Sequence, residues 1–231
     1  MEVIILAGGF GTRLGHIIQG IPKPMALING KPFLEYIFEY LLQNSINKVV
    51  LAVGYKSNVI RDYFGNKYSD IQITYSVEET PLGTGGAIKK GLEFCKEEQV
   101  IIINGDTFFN VDLNKMYDFH KLKMSRLTLA AKSMNNFERY GSLIIEDHKV
   151  IRFEEKKKIT FGNINGGVYI VQRELLCSVD QKEFSFEKLI LEDETEDIYA
   201  FESNGYFIDI GVPEDYFRAQ KEFENFKMKI D

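Results

Sequence analysis

With 231 residues, 45% hydrophobic and 27% charged, the chain has the make-up of an ordinary globular protein with room for a substantial core, which excludes a disordered tail or a membrane-embedded chain. A formal net charge of -6, without a lysine-arginine cluster interleaved with aromatics, argues against nucleic acid as a partner. The apolar start Val3 to Ala7 is too short for a secretory core, and no stretch reaches the roughly 18 apolar residues of a membrane span, so a cytoplasmic protein is expected.

Val3-Ile4-Ile5-Leu6-Ala7 is continuously apolar and β-branched and ends in Gly8-Gly9, as a strand buried on both faces of a parallel sheet does. Phe33, Ile37, Tyr40 and Leu41 then repeat with helical spacing, and residues 48–53 read as a second buried strand. A short helix near 57–64, a strand at 71–77, a helix over about 84–95 and a strand at 99–104 continue the alternation. Beyond residue 125 the runs at 127–132, 142–146, 149–154 and 163–171 follow one another with turn-like breaks, so antiparallel pairs are expected. A helical segment at 185–191, a strand near 206–210 and a helix over about 213–226 close the chain.

The expected fold is α/β: one domain over 1–231, Rossmann-like and doubly wound, with a mixed, mostly parallel sheet and a small antiparallel portion. About 1–110 form its nucleotide-binding half and about 111–231 its second half. Cys95 and Cys177 lack metal-ligand spacing and are expected to be reduced structural thiols. The helix from Phe33 to Tyr40 is open to two placements, in the core or at the contact of a homodimer.

The first strand runs directly into Leu6-Ala7-Gly8-Gly9-Phe10-Gly11-Thr12-Arg13-Leu14, at the sheet edge where α/β proteins bind ligands. It is neither a dinucleotide fingerprint, because Leu14 stands where the third glycine belongs, nor a P-loop, because no Gly-Lys-Ser/Thr occurs. It carries Arg13 instead, and Pro22-Lys23-Pro24 follows. A planar fork and a point charge suit the negative charge that spreads over a phosphoryl group in transfer, and the prolines hold Lys23 extended. Ile101-Ile102-Ile103-Asn104-Gly105-Asp106 brings a carboxylate to the same edge, and Phe207-Ile208-Asp209-Ile210-Gly211 offers another. Taken singly each is most simply a turn former; together with a triphosphate they are candidate magnesium ligands.

In combination these motifs resemble the sugar-nucleotide pyrophosphorylases, which join a nucleoside triphosphate to a sugar 1-phosphate, and the likeness spans nearly the whole chain. The resemblance implies that Leu6, Ala7, Gly8, Gly9, Gly11, Thr12 and Arg13 hold the triphosphate, that Arg13 and Lys23 are catalytic, and that Asp106 and Asp209 hold Mg2+. It further implies a sugar-phosphate site from Gly141, Glu155, Lys156, Asn165 and Gly166, matched through Tyr140-Gly141, Phe153-Glu154-Glu155-Lys156 and Asn165-Gly166-Gly167; whether Glu154 or Glu155 faces the sugar stays open. The chain departs from the family at His16 and Ile18, where proline and threonine are usual, and at Phe207, where tryptophan is usual. With 231 residues, it is expected to lack the C-terminal left-handed β-helix of larger members.

Ser76-Val77-Glu78-Glu79-Thr80-Pro81-Leu82-Gly83-Thr84-Gly85-Gly86 sets acids beside glycines, with Glu78 where uridylyl and thymidylyl transferases usually carry glutamine. Guanine presents N1–H and its 2-amino group side by side, and a carboxylate is an acceptor-only fork that takes both. Glu78, with Pro81, Gly83 and Thr84 around it, is therefore expected to select GTP, with Glu79 left open as the alternative acid, while the glycines let the loop lie against base and ribose. Gly105 to Phe109 and Phe184 to Glu187 look most like members that activate a heptose 1-phosphate. Weighed against this are mannose 1-phosphate as acceptor, a uridylyltransferase for N-acetylmuramic acid 1-phosphate, and a non-catalytic sensor of nucleotide or sugar phosphate.

Overall fold

The computed structural model describes residues 1–9, 11, 14–18, 20–154, 156–191 and 198–224. After β1 (Glu2–Leu6) come a short helix α1 (Gly15–Ile18), which includes His16, a 3-10 turn (Lys23–Met25), and the small hairpin of β2 (Leu27–Ile28) and β3 (Lys31–Pro32). The chain continues through α2 (Phe33–Gln43), β4 (Lys48–Val53), α3 (Ser57–Phe64), β5 (Lys67–Tyr68), β6 (Ile71–Val77), α4 (Gly83–Leu92) and β7 (Gln99–Asn104). The limits of β1, β4 and β7 follow the hydrophobic pattern closely, because their interiors are apolar runs between turn residues, whereas β6 alternates apolar and polar residues.

Beyond β8 (Thr107–Phe109), the helix α5 (Leu113–Leu122) was not anticipated from the hydrophobic pattern. Its signal is the cap: the Asp112 carboxylate accepts the backbone N–H groups of Asn114 at 3.1 Å and Lys115 at 2.9 Å, while Leu113, Met116 and His120 form the buried face. Next come β9 (Leu127–Phe137), β10 (Ser142–Glu146), β11 (Lys149–Glu154) and β12 (Ile159–Gln172), the first and last longer than expected. A 3-10 turn (Arg173–Leu176), a π-helical turn (Glu187–Leu191), β13 (Ile198–Glu202), β14 (Phe207–Asp209) and α6 (Pro213–Glu222) complete the described chain.

Among the described residues the main sheet runs β10-β11-β13-β9-β12-β7-β1-β4-β6-β5. Its centre is parallel, with Leu6 opposite both Ala52 and Asn104, and Val53 opposite Val77. β12 joins β7 antiparallel and carries the sheet into its second half. This register brings the carboxyl ends of β1, β4, β6 and β7 to one edge, so Gly8, Gly54, Glu78 and Gly105 lie there as neighbours.

The central strands β1, β4 and β7 are buried on both faces. Val3 and Ile5 pack with Phe33, Ile37, Tyr40 and Leu41 of α2; Ile4, Val50 and Ile102 pack with Ala87, Ile88 and Leu92 of α4. Each fully buried isoleucine contributes roughly 2 kcal/mol of transfer free energy. The aromatic face of α2 therefore belongs to the core, which decides between its two expected placements. Cys95 is buried, Cys177 exposed, and both are free. No helix among the described residues is long and apolar enough to cross a membrane.

His120 is fully buried; its Nδ1 meets Thr128 Oγ1 at 2.8 Å and its Nε2 has no hydrogen-bond partner. Burial pushes its pKa down to about 4. The unfolded chain then takes up this proton first on acidification, so stability is fully present above about pH 6.5 and falls until the folded imidazole titrates near 4. The loss attributable to His120 is about 3 kcal/mol at most. Urea unfolding of the wild type and His120→Phe at pH 7 and pH 4.5 should show a markedly shallower pH dependence in the variant; parallel profiles would exclude His120 as the cause.

Candidate active site

The strand ends enclose a cavity of about 550 Å³. Of the residues expected at the nucleotide, Leu6, Ala7, Gly8, Gly9, Gly11, Lys23, Glu78, Pro81, Gly83, Thr84 and Asp106 line it. Thr12 and Arg13 lie outside the described residues. Gly11 has φ +62°, which suits glycine, and a Cβ at Gly8 would stand 2.5 Å from Glu78 Oε1. The bare Gly8 thus lets the Glu78 carboxylate come down onto the end of β1.

Glu78 is half-buried, and its Oε2 accepts the Leu82 N–H at 3.1 Å. Burial raises its carboxyl pKa, opposed by that hydrogen bond and by the charge of Lys90. Lys90 is itself fixed through Val77 O at 2.7 Å. The result is a carboxylate anchored through one oxygen, with the other beside Gly8. Glu79 lines the same cavity.

A second cavity, of about 370 Å³, adjoins the first and shares Asn104 and Asp106 with it. Of the expected sugar-phosphate residues, Gly141, Lys156, Asn165 and Gly166 line it, and Glu155 lies outside the described residues. The Glu154 carboxylate is engaged by Lys157 at 2.7 Å and Ser142 Oγ at 3.3 Å. In β12 the register shifts between Asn165 and Tyr169, and this bulge aims the asparagine inward: its Oδ1 accepts the Gly167 N–H at 3.1 Å and its Nδ2 donates to the Tyr169 hydroxyl at 2.8 Å.

Two glycines expected to admit the sugar serve protein contacts as well. A Cβ at Gly141 would lie 2.3 Å from the Phe153 ring, and one at Gly166 would lie 2.4 Å from the Phe109 ring. Likewise Gly85 and Gly86, expected to face base and ribose, are buried against the segment around Phe184; only Gly83 and Thr84 of that run reach the nucleotide cavity. Arg139 and Lys188 on the second cavity's wall were not anticipated, and Ser185 and Glu187, noted only within the heptose-like stretch Phe184 to Glu187, had no site role assigned. Arg139 is ion-paired with the buried Asp215, and its one signal was a cation next to the matched Tyr140-Gly141.

The two aspartates meet where the cavities join. β8 pairs with β14 so that Asp209 lies opposite Thr107, and the Ile210 N–H donates to Asp106 O at 3.0 Å. Asp209 Oδ1 accepts the Gly211 N–H at 2.7 Å. Phe207 replaces the usual tryptophan by packing edge-on against Phe109 and Tyr140, with centroids 5.6 and 5.5 Å away. Burial first, and the charge of Asp106 second, raise the Asp209 pKa to about 6. Lys23 Nζ pairs with Asp106 Oδ2 at 2.7 Å. Two carboxylates that repel one another beside the Lys23 ammonium fit a divalent cation completed by phosphate oxygens and water. Among the described residues no group of three or more His, Cys, Asp or Glu forms an all-protein metal cage.

Residues 2–225 match the sequence profile described as nucleotidyl transferase. The D-glycero-alpha-D-manno-heptose 1-phosphate guanylyltransferase of Aneurinibacillus thermoaerophilus is 52% identical over 229 residues, 98% of this chain and 100% of that protein. Its namesake from Campylobacter jejuni is 50% identical over 220 residues, 94% of this chain and 97% of that one. The crystal structure of HddC from Yersinia pseudotuberculosis complexed with GMP-PN is similar at a TM-score of 0.87 and 38% identity, covering 96% of this chain and 99% of that one.

Proposed function

The chain belongs to the nucleotidyl transferase family, and on that premise we propose that it joins GTP to D-glycero-α-D-manno-heptose 1-phosphate, releasing pyrophosphate and a GDP-heptose. The observation that carries this reading is the junction: two cavities of unequal size share Asp106, with Asp209 and Lys23 beside it. The names of the two half-identical relatives and the guanine nucleotide in the HddC crystal structure support the base and the sugar.

GTP occupies the larger cavity, its base against Glu78 and its phosphates along Gly8, Gly9 and Gly11 beside Lys23, with Arg13 assigned to the triphosphate by the family resemblance. The sugar 1-phosphate enters the smaller one, between Lys156 and Asn165. An oxygen of the sugar phosphate forms a bond to the α-phosphorus, and the bond from that phosphorus to the bridging oxygen of the β-phosphate breaks, so pyrophosphate leaves with the electron pair. The nucleophile is already an anion, so no general base is needed and positioning with charge neutralisation suffices. Asp106 and Asp209 would hold Mg2+, which would supply neutralisation of charge on the phosphate oxygens. Lys23, which here neutralises Asp106, is placed to trade that carboxylate for a phosphate oxygen.

Pyrophosphate release from GTP with heptose, mannose and N-acetylmuramic acid 1-phosphates tests the acceptor. The heptose phosphate should give the highest kcat/KM, with GDP-heptose identified by mass. A preference for mannose 1-phosphate would reassign the sugar, and no product with any acceptor would refute the transferase reading.

A further inference from the structure

The wall of the sugar-side cavity includes Ser185, Glu187 and Lys188, which the reaction above leaves without a task. Their segment is fastened to the opposite side of the site. Gly85 N–H donates to Phe184 O at 2.9 Å, and Phe184 N–H to Leu82 O at 3.0 Å. A Cβ at Gly83 would stand 2.4 Å from Phe184 O, at Gly85 2.1 Å from the Phe184 ring, and at Gly86 2.2 Å from Lys182 O. The glycines at the start of α4 are therefore a docking face for this segment.

Docking has one polar consequence. Phe186 N–H donates to Thr84 Oγ1 at 2.9 Å, which turns the Thr84 hydroxyl hydrogen toward Glu187 Oε2 at 2.7 Å. Ser185 Oγ donates to the same oxygen at 3.0 Å. Thr84 lines the nucleotide cavity and Glu187 the sugar cavity, so one hydrogen bond spans the wall between the two substrates. With Oε2 held by two hydroxyls, the carboxylate is fixed in orientation and retains acceptor capacity at Oε1. The same cavity offers Arg139, Lys156 and Lys188 to a phosphate, so an acceptor-only anion there suits the hydroxyl-bearing end of the sugar.

We propose that Glu187 selects the acceptor by taking hydrogen bonds from its sugar hydroxyls, and that Thr84 is a positioning residue tying that carboxylate to the nucleotide wall. This rests on the transferase reading given above. Exchange of the carboxylate for an amide weakens a charge-assisted hydrogen bond, so Glu187→Gln should raise KM for heptose 1-phosphate about tenfold. Its affinity for the α,β-methylene analogue of GTP, whose α–β bridge the transfer cannot break, should stay within about twofold when measured by calorimetry. Thr84→Val should raise the sugar-phosphate KM more than the GTP KM, Thr84→Ser should restore it, and the double variant should be no worse than Glu187→Gln alone.

An unchanged sugar-phosphate KM in Glu187→Gln, or equal rises for both substrates, would overturn the proposal and leave the segment a packing element. Should Glu187→Gln fail to fold, the Thr84→Val and Thr84→Ser pair decides by the same split. A wild type inert toward every sugar 1-phosphate would instead refute the transferase reading beneath it, so the two failures are distinguishable.

Discussion

Asp209→Asn lowers kcat by about a thousandfold at saturating Mg2+ and GTP, and at the same time makes the metal-free protein more stable. Both halves come from one arrangement. Burial and the Asp106 charge work against ionisation of Asp209, so the native state holds a repulsion that the unfolded chain does not. An amide removes it while its Oδ1 still accepts the Gly211 N–H, and the gain should be on the order of 1 kcal/mol. Asp106→Asn separates the two effects. It costs the same catalysis but strands the Lys23 ammonium without its carboxylate, so it brings no comparable gain. The check is steady-state turnover paired with thermal unfolding in EDTA. Normal turnover of Asp209→Asn at saturating Mg2+ would remove it from the reaction.

Glu78→Gln is the second large change, and the structure sharpens why. In the wild type one carboxylate oxygen answers the Leu82 N–H and the other lies beside Gly8 in the nucleotide cavity. An amide has one oxygen only. The Leu82 N–H claims it, which turns the amide NH2 toward the base. A donor there opposes guanine N1–H and its 2-amino group and suits a carbonyl of uracil or thymine. A site that leaves buried donors facing one another discriminates strongly, so kcat/KM for GTP should fall about a hundredfold while that for UTP or dTTP rises. Competition assays with the three triphosphates measure it directly. Retained GTP preference in the variant would place base selection elsewhere, with Glu79 the next acid on the same wall.

The strands that carry this site were legible because β1, β4 and β7 have continuous apolar interiors and β6 alternates apolar and polar residues, and their parallel order follows from the helices between them. The places of Gly8 and Asp106 at the sheet edge were legible for the same reason, since each closely follows a strand, and Lys23 was picked out by residue type between two prolines. What could not be read is long-range. Lys23 meets Asp106 across a sequence separation of 83, and Thr84 meets Glu187 across 103. No local pattern encodes either contact. The glycines show the same limit from another side. At Gly85, Gly141 and Gly166 the missing Cβ makes room for Phe184, Phe153 and Phe109, and a sequence does not say whether the neighbour of a glycine is a ligand or a ring. α5 was missed for a different reason: its apolar face is thin, and the information lay in the Asp112 cap.

The central claim, that Glu78 makes the larger cavity a guanine site for transfer to a sugar 1-phosphate, is tested most directly by kcat/KM of the wild type for GTP against UTP with heptose 1-phosphate as the common acceptor. GTP should be preferred by about two orders of magnitude. Equal use of UTP, or a preference for it, would contradict the account.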